Sequence, residues 1–116
     1  MKKPLIVGNW KLNGEMEQVK KILYLTRNTL IGKFCDIVVA PTFVYLKTAY
    51  DIIKNSQIFL SAQDVSINEL GPFTGEVSAN MLKDVGVNYC IIGHSERRNL
   101  HGEDNITVAK KFFRLT

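Results

Sequence analysis

Asn88-Tyr89-Cys90-Ile91-Ile92-Gly93-His94-Ser95-Glu96-Arg97-Arg98 is an apolar run that ends abruptly in polar and charged side chains. Read as a strand over Asn88 to Gly93, it alternates its side chains between two faces, so that Cys90, Ile92 and His94 share one of them. Pro4 to Lys11, near the other end of the chain, repeats the pattern. Leu5, Val7, Asn9 and Lys11 fall on one face and Ile6, Gly8 and Trp10 on the other. In both segments the polar groups emerge where the strand finishes. A lysine, an asparagine, a histidine and a glutamate are thereby expected at one rim of a sheet.

The sequence between these two segments alternates in period. Cys35 to Ala40 and Ile58 to Ala62 read as two more strands. Glu15 to Leu30 reads as a helix, with Met16, Val19, Ile22, Leu23 and Leu30 at helical spacing. Tyr45, Leu46, Ala49, Ile52 and Ile53 mark a second helix, and Val77 to Asp84 a short third one stopped near Gly86. A last helix starts near Asp104 or Asn105, with Ile106, Ala109, Phe112 and Phe113 as its expected apolar positions. Strands separated by helices lie parallel, through right-handed crossovers. An open doubly wound sheet and part of a (β/α)8 barrel both satisfy this order, and in both the ligand sits beyond the carboxyl ends of the strands. A doubly wound nucleotide binder calls for a G-x-G-x-x-G turn after the first strand, and Gly8-Asn9-Trp10-Lys11 is not one.

Composition narrows the class. The chain has 116 residues, 46 % hydrophobic and 22 % charged, which describes a globular domain rather than a disordered segment. Its 15 Lys and Arg against 11 Asp and Glu give a formal charge of +4. No basic run is interleaved with aromatic residues, so no nucleic acid is expected as partner. A positive site for a small phosphorylated molecule fits the balance. Cys35 and Cys90 each stand in an apolar run and read as buried small hydrophobes, with no C-x-x-C or paired-histidine spacing and therefore no metal site. The apolar run after Lys2-Lys3 is too short for a signal peptide, and no stretch approaches the length of a membrane span. Two unpaired thiols suit a reducing cytoplasm.

Three segments resemble the triosephosphate isomerase family: Gly8-Asn9-Trp10-Lys11 with Asn13, Gly71-Pro72-Phe73-Thr74-Gly75-Glu76-Val77-Ser78, and Ile91-Ile92-Gly93-His94-Ser95-Glu96-Arg97-Arg98. Ala62-Gln63-Asp64 is similar to the family's third-strand end. The resemblance covers essentially the whole chain but only the N-terminal half of the family's barrel. It implies an α/β fold of parallel β/α units, the first half of a (β/α)8 TIM barrel, with residues 1–116 as an incomplete barrel domain ending in its fourth helix. It implies interconversion of two three-carbon sugar phosphates through an enediolate, without a cofactor. By the same resemblance Lys11 binds the substrate and offsets its charge, and Asn9 orients both. His94 is the electrophile that donates to the carbonyl oxygen; the family is itself the standard case of a histidine kept neutral by a helix N-terminus. Ser95 and Glu96 support the site, Glu96 through its charge, as a proton shuttle, or as an ion-pair partner of Arg97 or Lys11. Thr74 and Gly75 lie in a loop that enters the neighbouring subunit of a homodimer. His101 reads as a surface residue without a catalytic role.

The family's general base is a glutamate after the sixth strand, and its lid and phosphate-binding turns come later still. The expectation from this sequence is that such elements are missing. That leaves two alternatives to an intact isomerase: a truncated, non-catalytic remnant, or a half-barrel needing complementation. Absence of a general base alone costs about 10²- to 10⁴-fold in rate, so the 116 residues by themselves are expected to be inactive or nearly so. Four strands also leave the first and fourth as open edges, with an inner apolar face of Leu5, Val7, Cys90 and Ile92 uncovered and prone to self-association.

Overall fold

A computed structural model describes residues 3–29 and 34–116. Leu30, expected on the first helix, and Lys2 of the Lys2-Lys3 pair lie outside the described residues. Four strands form one parallel sheet in the order β1 (Leu5–Asn9), β2 (Asp36–Ala40), β3 (Ile58–Ala62) and β4 (Tyr89–Cys90). Helix α1 (Met16–Asn28) links β1 to β2, and α2 (Leu46–Ile53), entered through a 3-10 turn at Phe43–Tyr45, links β2 to β3. Helix α3 (Ala79–Val85) precedes β4, and α4 (Ser95–His101) and α5 (Asn105–Leu115) follow it. The chain is therefore a four-stranded half-barrel of parallel β/α units, consistent with half of a TIM barrel.

The register decides which side chains meet. Ile37, Val39, Ile58, Leu60 and Ala62 lie on the helix-covered face of β2 and β3, and the register continues that face to Ile6 and Gly8 of the edge strand β1, where Ile6 is exposed. Helix α1 sets Val19 and Leu23 against that face, α2 adds Leu46, Ala49, Ile52 and Ile53, and α3 adds Leu82. Met16 and Ile22 of α1, expected in the same stripe, are exposed. Two local features end α3 cleanly. Ser78 Oγ accepts from Met81 N at 3.2 Å at its start, and Gly86 at its end is left-handed, with φ of 106°. A Cβ on Gly86 would also meet the Tyr50 ring at 2.3 Å, so only glycine fits there.

Three expectations need correction. The fourth strand is two residues long rather than six: its pairing ends at Ala62 with Cys90, where β3 itself stops, and Gly93, left-handed at φ of 65°, then breaks the alternation before His94. Parallel pairing of Ala62 with Cys90 then places Cys90 on the helix side, where Cys90 and Ile92 pack against the core; it is Tyr89 that shares the opposite face with Val7, Val38 and Ser61, of which Val38 and Ser61 are buried. Second, the expected apolar stripe of α5 is not buried. Ile106, Phe112 and Phe113 are 67 %, 62 % and 69 % exposed, Ala109 is exposed, and the buried residue of this helix is Lys111. Third, Cys35 and Cys90 are free and only half-buried. The thiol of Cys90 is still pushed up to about 12, by burial first and then by the Asp64 charge. The open edges are as expected: β1 and β4 bound the sheet, and Leu5, Ile6 and Val7 are exposed along β1.

Candidate functional site

Beyond Asn9 the chain makes a tight turn. Asn9 Oδ1 accepts from Lys11 N at 3.0 Å, and Lys11 itself is left-handed with φ of 55°. That conformation costs a residue with a Cβ about 1–2 kcal/mol, so something must hold it. Gln63, just past β3, does: its Nε2 donates to Lys11 O at 3.0 Å and to Ala40 O at 2.8 Å. The lysine is thereby turned across the sheet rim, and its Nζ reaches Glu96 Oε1 at 2.6 Å.

Glu96 stands in the first turn of α4, whose N-cap is His94. Glu96 N donates to His94 Nδ1 at 3.0 Å. With Nδ1 used as an acceptor, the neutral ring carries its proton on Nε2, and no residue among those described bonds Nε2. The Glu96 carboxylate is also 3.7 Å from Nδ1, but that lone pair already faces the amide, so the short contact to Lys11 is the one that counts. The hydrogen bond from Lys11 holds Glu96 below its ordinary carboxylate value; burial opposes it, and the charges of Lys11 and His94 add smaller pulls in the same direction as the hydrogen bond. Arg98 fixes the turn beneath, donating from Nε to Gly93 O at 3.0 Å and from Nη1 to Asn105 Oδ1 at 2.8 Å.

Asn9, Lys11, Gln63, Asp64, His94 and Glu96 line a cavity of about 400 Å³ at the carboxyl rim, a size that suits a small molecule. A cation, an imidazole N–H and an amide in one small space can bind a phosphorylated carbonyl compound and stabilise negative charge developing on its oxygen. A larger groove of about 840 Å³ lies alongside, lined by residues 12–18 and 42–45. It carries no comparable set of polar groups.

The structure therefore brings together Asn9, Lys11, His94 and Glu96. Ser95 opens α4 with an exposed side chain and takes no part in the contacts. Thr74 and Gly75 are exposed at the tip of a loop remote from the cavity of their own chain. That loop is fastened from within: Ser66 N donates to Val77 O at 2.9 Å and the Ser66 hydroxyl to Glu76, while Arg114 donates to Ile67 O and Glu69 at 2.7 Å each. His101 is exposed on the lip of the cavity.

Arg97 is not the partner of Glu96. It turns the other way, to Glu103 Oε2 at 2.6 Å and Asp64 Oδ2 at 3.2 Å, and Lys111 Nζ joins both carboxylates at 2.7 and 2.6 Å. Sequence reasoning missed this buried cluster and the role of Gln63. The signals were present but weak: two polar residues directly after an apolar strand, and a lysine between the apolar positions of a helix. Among the described residues no group of three His, Cys, Asp or Glu side chains is placed to hold a metal, and no helix is long and apolar enough to cross a membrane.

The sequence model of the family described as triosephosphate isomerase matches residues 4–116. The chain is similar to the triosephosphate isomerase of Erwinia tasmaniensis, 49 % identical over 113 residues, which is 97 % of this chain and 44 % of that protein. It is similar also to those of Serratia proteamaculans, at 48 % over the same shares, and of Buchnera aphidicola, at 47 % over 97 % of this chain and 46 % of that protein. The chain thus spans less than half the length of the curated relatives it matches.

Proposed function

The chain belongs to the triosephosphate isomerase family, and on that premise we propose that its residues form the electrophilic and charge-binding part of an isomerase that interconverts dihydroxyacetone phosphate and glyceraldehyde 3-phosphate. The observation that carries this is the convergence of Lys11, Glu96 and His94, with the Nε2 of His94 left free to donate. Lys11 offsets the charge of the phosphorylated substrate, Asn9 holds the turn that aims Lys11, and His94 donates from Nε2 to the substrate oxygen on which enediolate charge grows. The two acids at this cavity, Glu96 and Asp64, are each held in a short ion pair with a lysine. Neither is assigned as the base that takes the carbon-bound proton. We assign that step to a group outside these 116 residues, as part of a (β/α)8 domain of which they are the first half.

We also propose that the protein is a cytoplasmic homodimer. The fastened loop around Thr74 and Gly75 is a rigid projection, and the groove lined by residues 12–18 and 42–45 is an apolar recess next to Lys11. A second copy's loop fits there and buttresses the turn from Asn9 to Lys11.

Steady-state kinetics on the full-length protein test the reading. Lys11→Ala and His94→Ala are each expected to depress isomerisation at least about 10²-fold, with Lys11→Ala weakening phosphate-ester binding as well. Cys35→Ala is expected to change turnover little. Near-normal turnover in either of the first two would mean that the role belongs to another residue. The 116 residues alone are expected to give no enzymatic rate; turnover above about 1 s⁻¹ would reveal a base within them, and Glu96→Gln would then say whether it is Glu96. Deletion of Gly71 to Gly75 is expected to yield monomers in sedimentation.

A further inference from the structure

We propose that Lys111 is a positioning residue for the rim site: by neutralising Asp64 and Glu103 beside Arg97, it fixes where α4 begins and so holds His94 and Glu96 over Lys11. Lysine is buried in proteins almost only when paired, and Lys111 is the buried residue of a helix whose large apolar side chains face out. Its ammonium lies 2.6 Å from Asp64 Oδ1 and 2.7 Å from Glu103 Oε2. Arg97 Nε meets the same two carboxylates, Asp64 at its other oxygen Oδ2 (3.2 Å) and Glu103 at the Oε2 that Lys111 also holds (2.6 Å). The cluster is thus two cations against two anions, contributed by the end of β3, by α4, by the connection after α4 and by α5. It has no cation in reserve, since Glu103 Oε1 is buried without a partner among the described residues.

Helix α4 is seven residues long, too short to set its own position. Side chains anchor it. Arg98 ties it to Gly93 O and Asn105, and Arg97 ties it to the cluster. Its first turn is the one capped by His94 Nδ1, and it carries the carboxylate that meets Lys11. Without Lys111, two buried carboxylates share one guanidinium. One of them must take up a proton or leave, and Arg97 is redrawn toward the other. The first turn of α4 moves with Arg97, and the cap between His94 and Glu96 loosens. The functional consequence rests on reading His94 and Lys11 as the substrate-facing pair; the structural consequence does not.

The test is the imidazole ¹⁵N spectrum of His94 in the full-length protein, together with hydrogen exchange of the Glu96 amide. The parent should show the ring protonated on Nε2. Lys111→Met is expected to shift the tautomer ratio and speed Glu96 exchange by about tenfold each, the scale of one lost hydrogen bond. Lys111→Arg should restore most of both. Leu23→Ala, which loosens the core far from this cluster, should leave both unchanged. A folded Lys111→Met protein with the parent's His94 spectrum and Glu96 exchange would overturn the proposal. Should that variant fail to fold, Asp64→Asn removes one charge at constant shape; a shift in the same direction supports the role, and an unchanged spectrum overturns it. Spectra that move as expected in a protein without isomerase turnover would count against the isomerase reading and uphold the positioning role.

Discussion

Over β2 and β3 the sheet is closed by carbon: Val19 and Leu23 of α1 and Ala49, Ile52 and Ile53 of α2 meet Val39, Ile58 and Leu60, all buried. Beyond β4 the neighbouring helix is held by charge: α5 turns Lys111 inward to Asp64 and Glu103 and leaves Ile106, Phe112 and Phe113 in solvent. The first flank is a β/α/β layer whose inward apolar side chains are buried between helix and sheet, while Met16, Ile22 and Leu25 of α1 stay exposed. The second has one neighbour where a closed barrel would supply two. Apolar burial needs only area, so it stabilises wherever elements stack. An ion cluster needs particular partners at particular distances, and it transmits position. The rim site lies where the two flanks meet: Asn9, Lys11 and Gln63 come from the ends of β1 and β3, and His94 and Glu96 from the charge-held side.

The comparison is sharpest at Leu23, which is fully buried. Leu23→Ala is expected to cost about 3 kcal/mol, as the lost transfer free energy adds to the cavity left behind. Urea denaturation measures it. A loss under about 1 kcal/mol would mean that the α1 flank is packed no better than the α5 flank.

Next in size is the acid limb of stability. Burial pushes the Glu103 carboxyl up, but hydrogen bonds from Lys111 and Arg97 outweigh it and hold the group below its ordinary value of 4.5. A depressed folded value means that Glu103 stabilises the fold fully above the unfolded value, and that this contribution is lost as pH falls through the folded one. The parent should therefore lose stability below about pH 4.5, and Glu103→Gln should lose less over the same interval, from a lower starting point. Parallel acid limbs for the two proteins would show that the charge-held flank does not depend on Glu103.

How much of this contrast was legible in the sequence depends on the range of the interaction. The helix-forming spacing of Val19 with Leu23, and the strand runs from Cys35 to Ala40 and from Ile58 to Ala62, are local and were readable. The position of Asn9 and Lys11 at the rim was readable from the end of β1, whereas His94 was expected there through a strand alternation that Gly93 breaks. Misreading α5 had a definite cause. Phe112 and Phe113 sit at helical spacing with Ile106, and periodicity reports that a face is apolar, not that something covers it. Lys111 gave only a weak signal because Asp64 lies 47 residues away, and no local pattern names so distant a partner. Strand β4 was overextended because alternation was counted through Gly93, whose left-handed backbone resets the count.

A smaller effect lies at the boundary between the two flanks. Ser78 is buried and caps α3 through Met81 N, and α3 contributes Leu82 to the core. Ser78→Ala is expected to cost about 1 kcal/mol, felt on the carbon-held side, with the His94 tautomer unchanged. A shifted tautomer would mean that the two flanks are coupled through α3.

The smallest effect is expected at Phe112. In most helices, truncating a phenylalanine at an apolar position costs about 3–5 kcal/mol. Phe112 is 62 % exposed, so little area returns to water when it is replaced, and no cavity is left behind. Phe112→Ser is therefore expected to change the unfolding free energy of these 116 residues by no more than about 0.5 kcal/mol. The same substitution should lower their tendency to associate, since Ile106, Phe112 and Phe113 together are an apolar surface that another molecule can cover. Denaturation at two protein concentrations separates the effects. A cost above about 1 kcal/mol at low concentration would show that α5 packs this face within the chain; a cost that appears only at high concentration would show that a second copy covers it. In the full-length protein the same residue is expected to behave like Leu23, because a closed barrel supplies the neighbouring helix that α5 lacks here. The change in the cost of one phenylalanine between the two contexts measures how far the charge-held flank is a flank only for want of a neighbour.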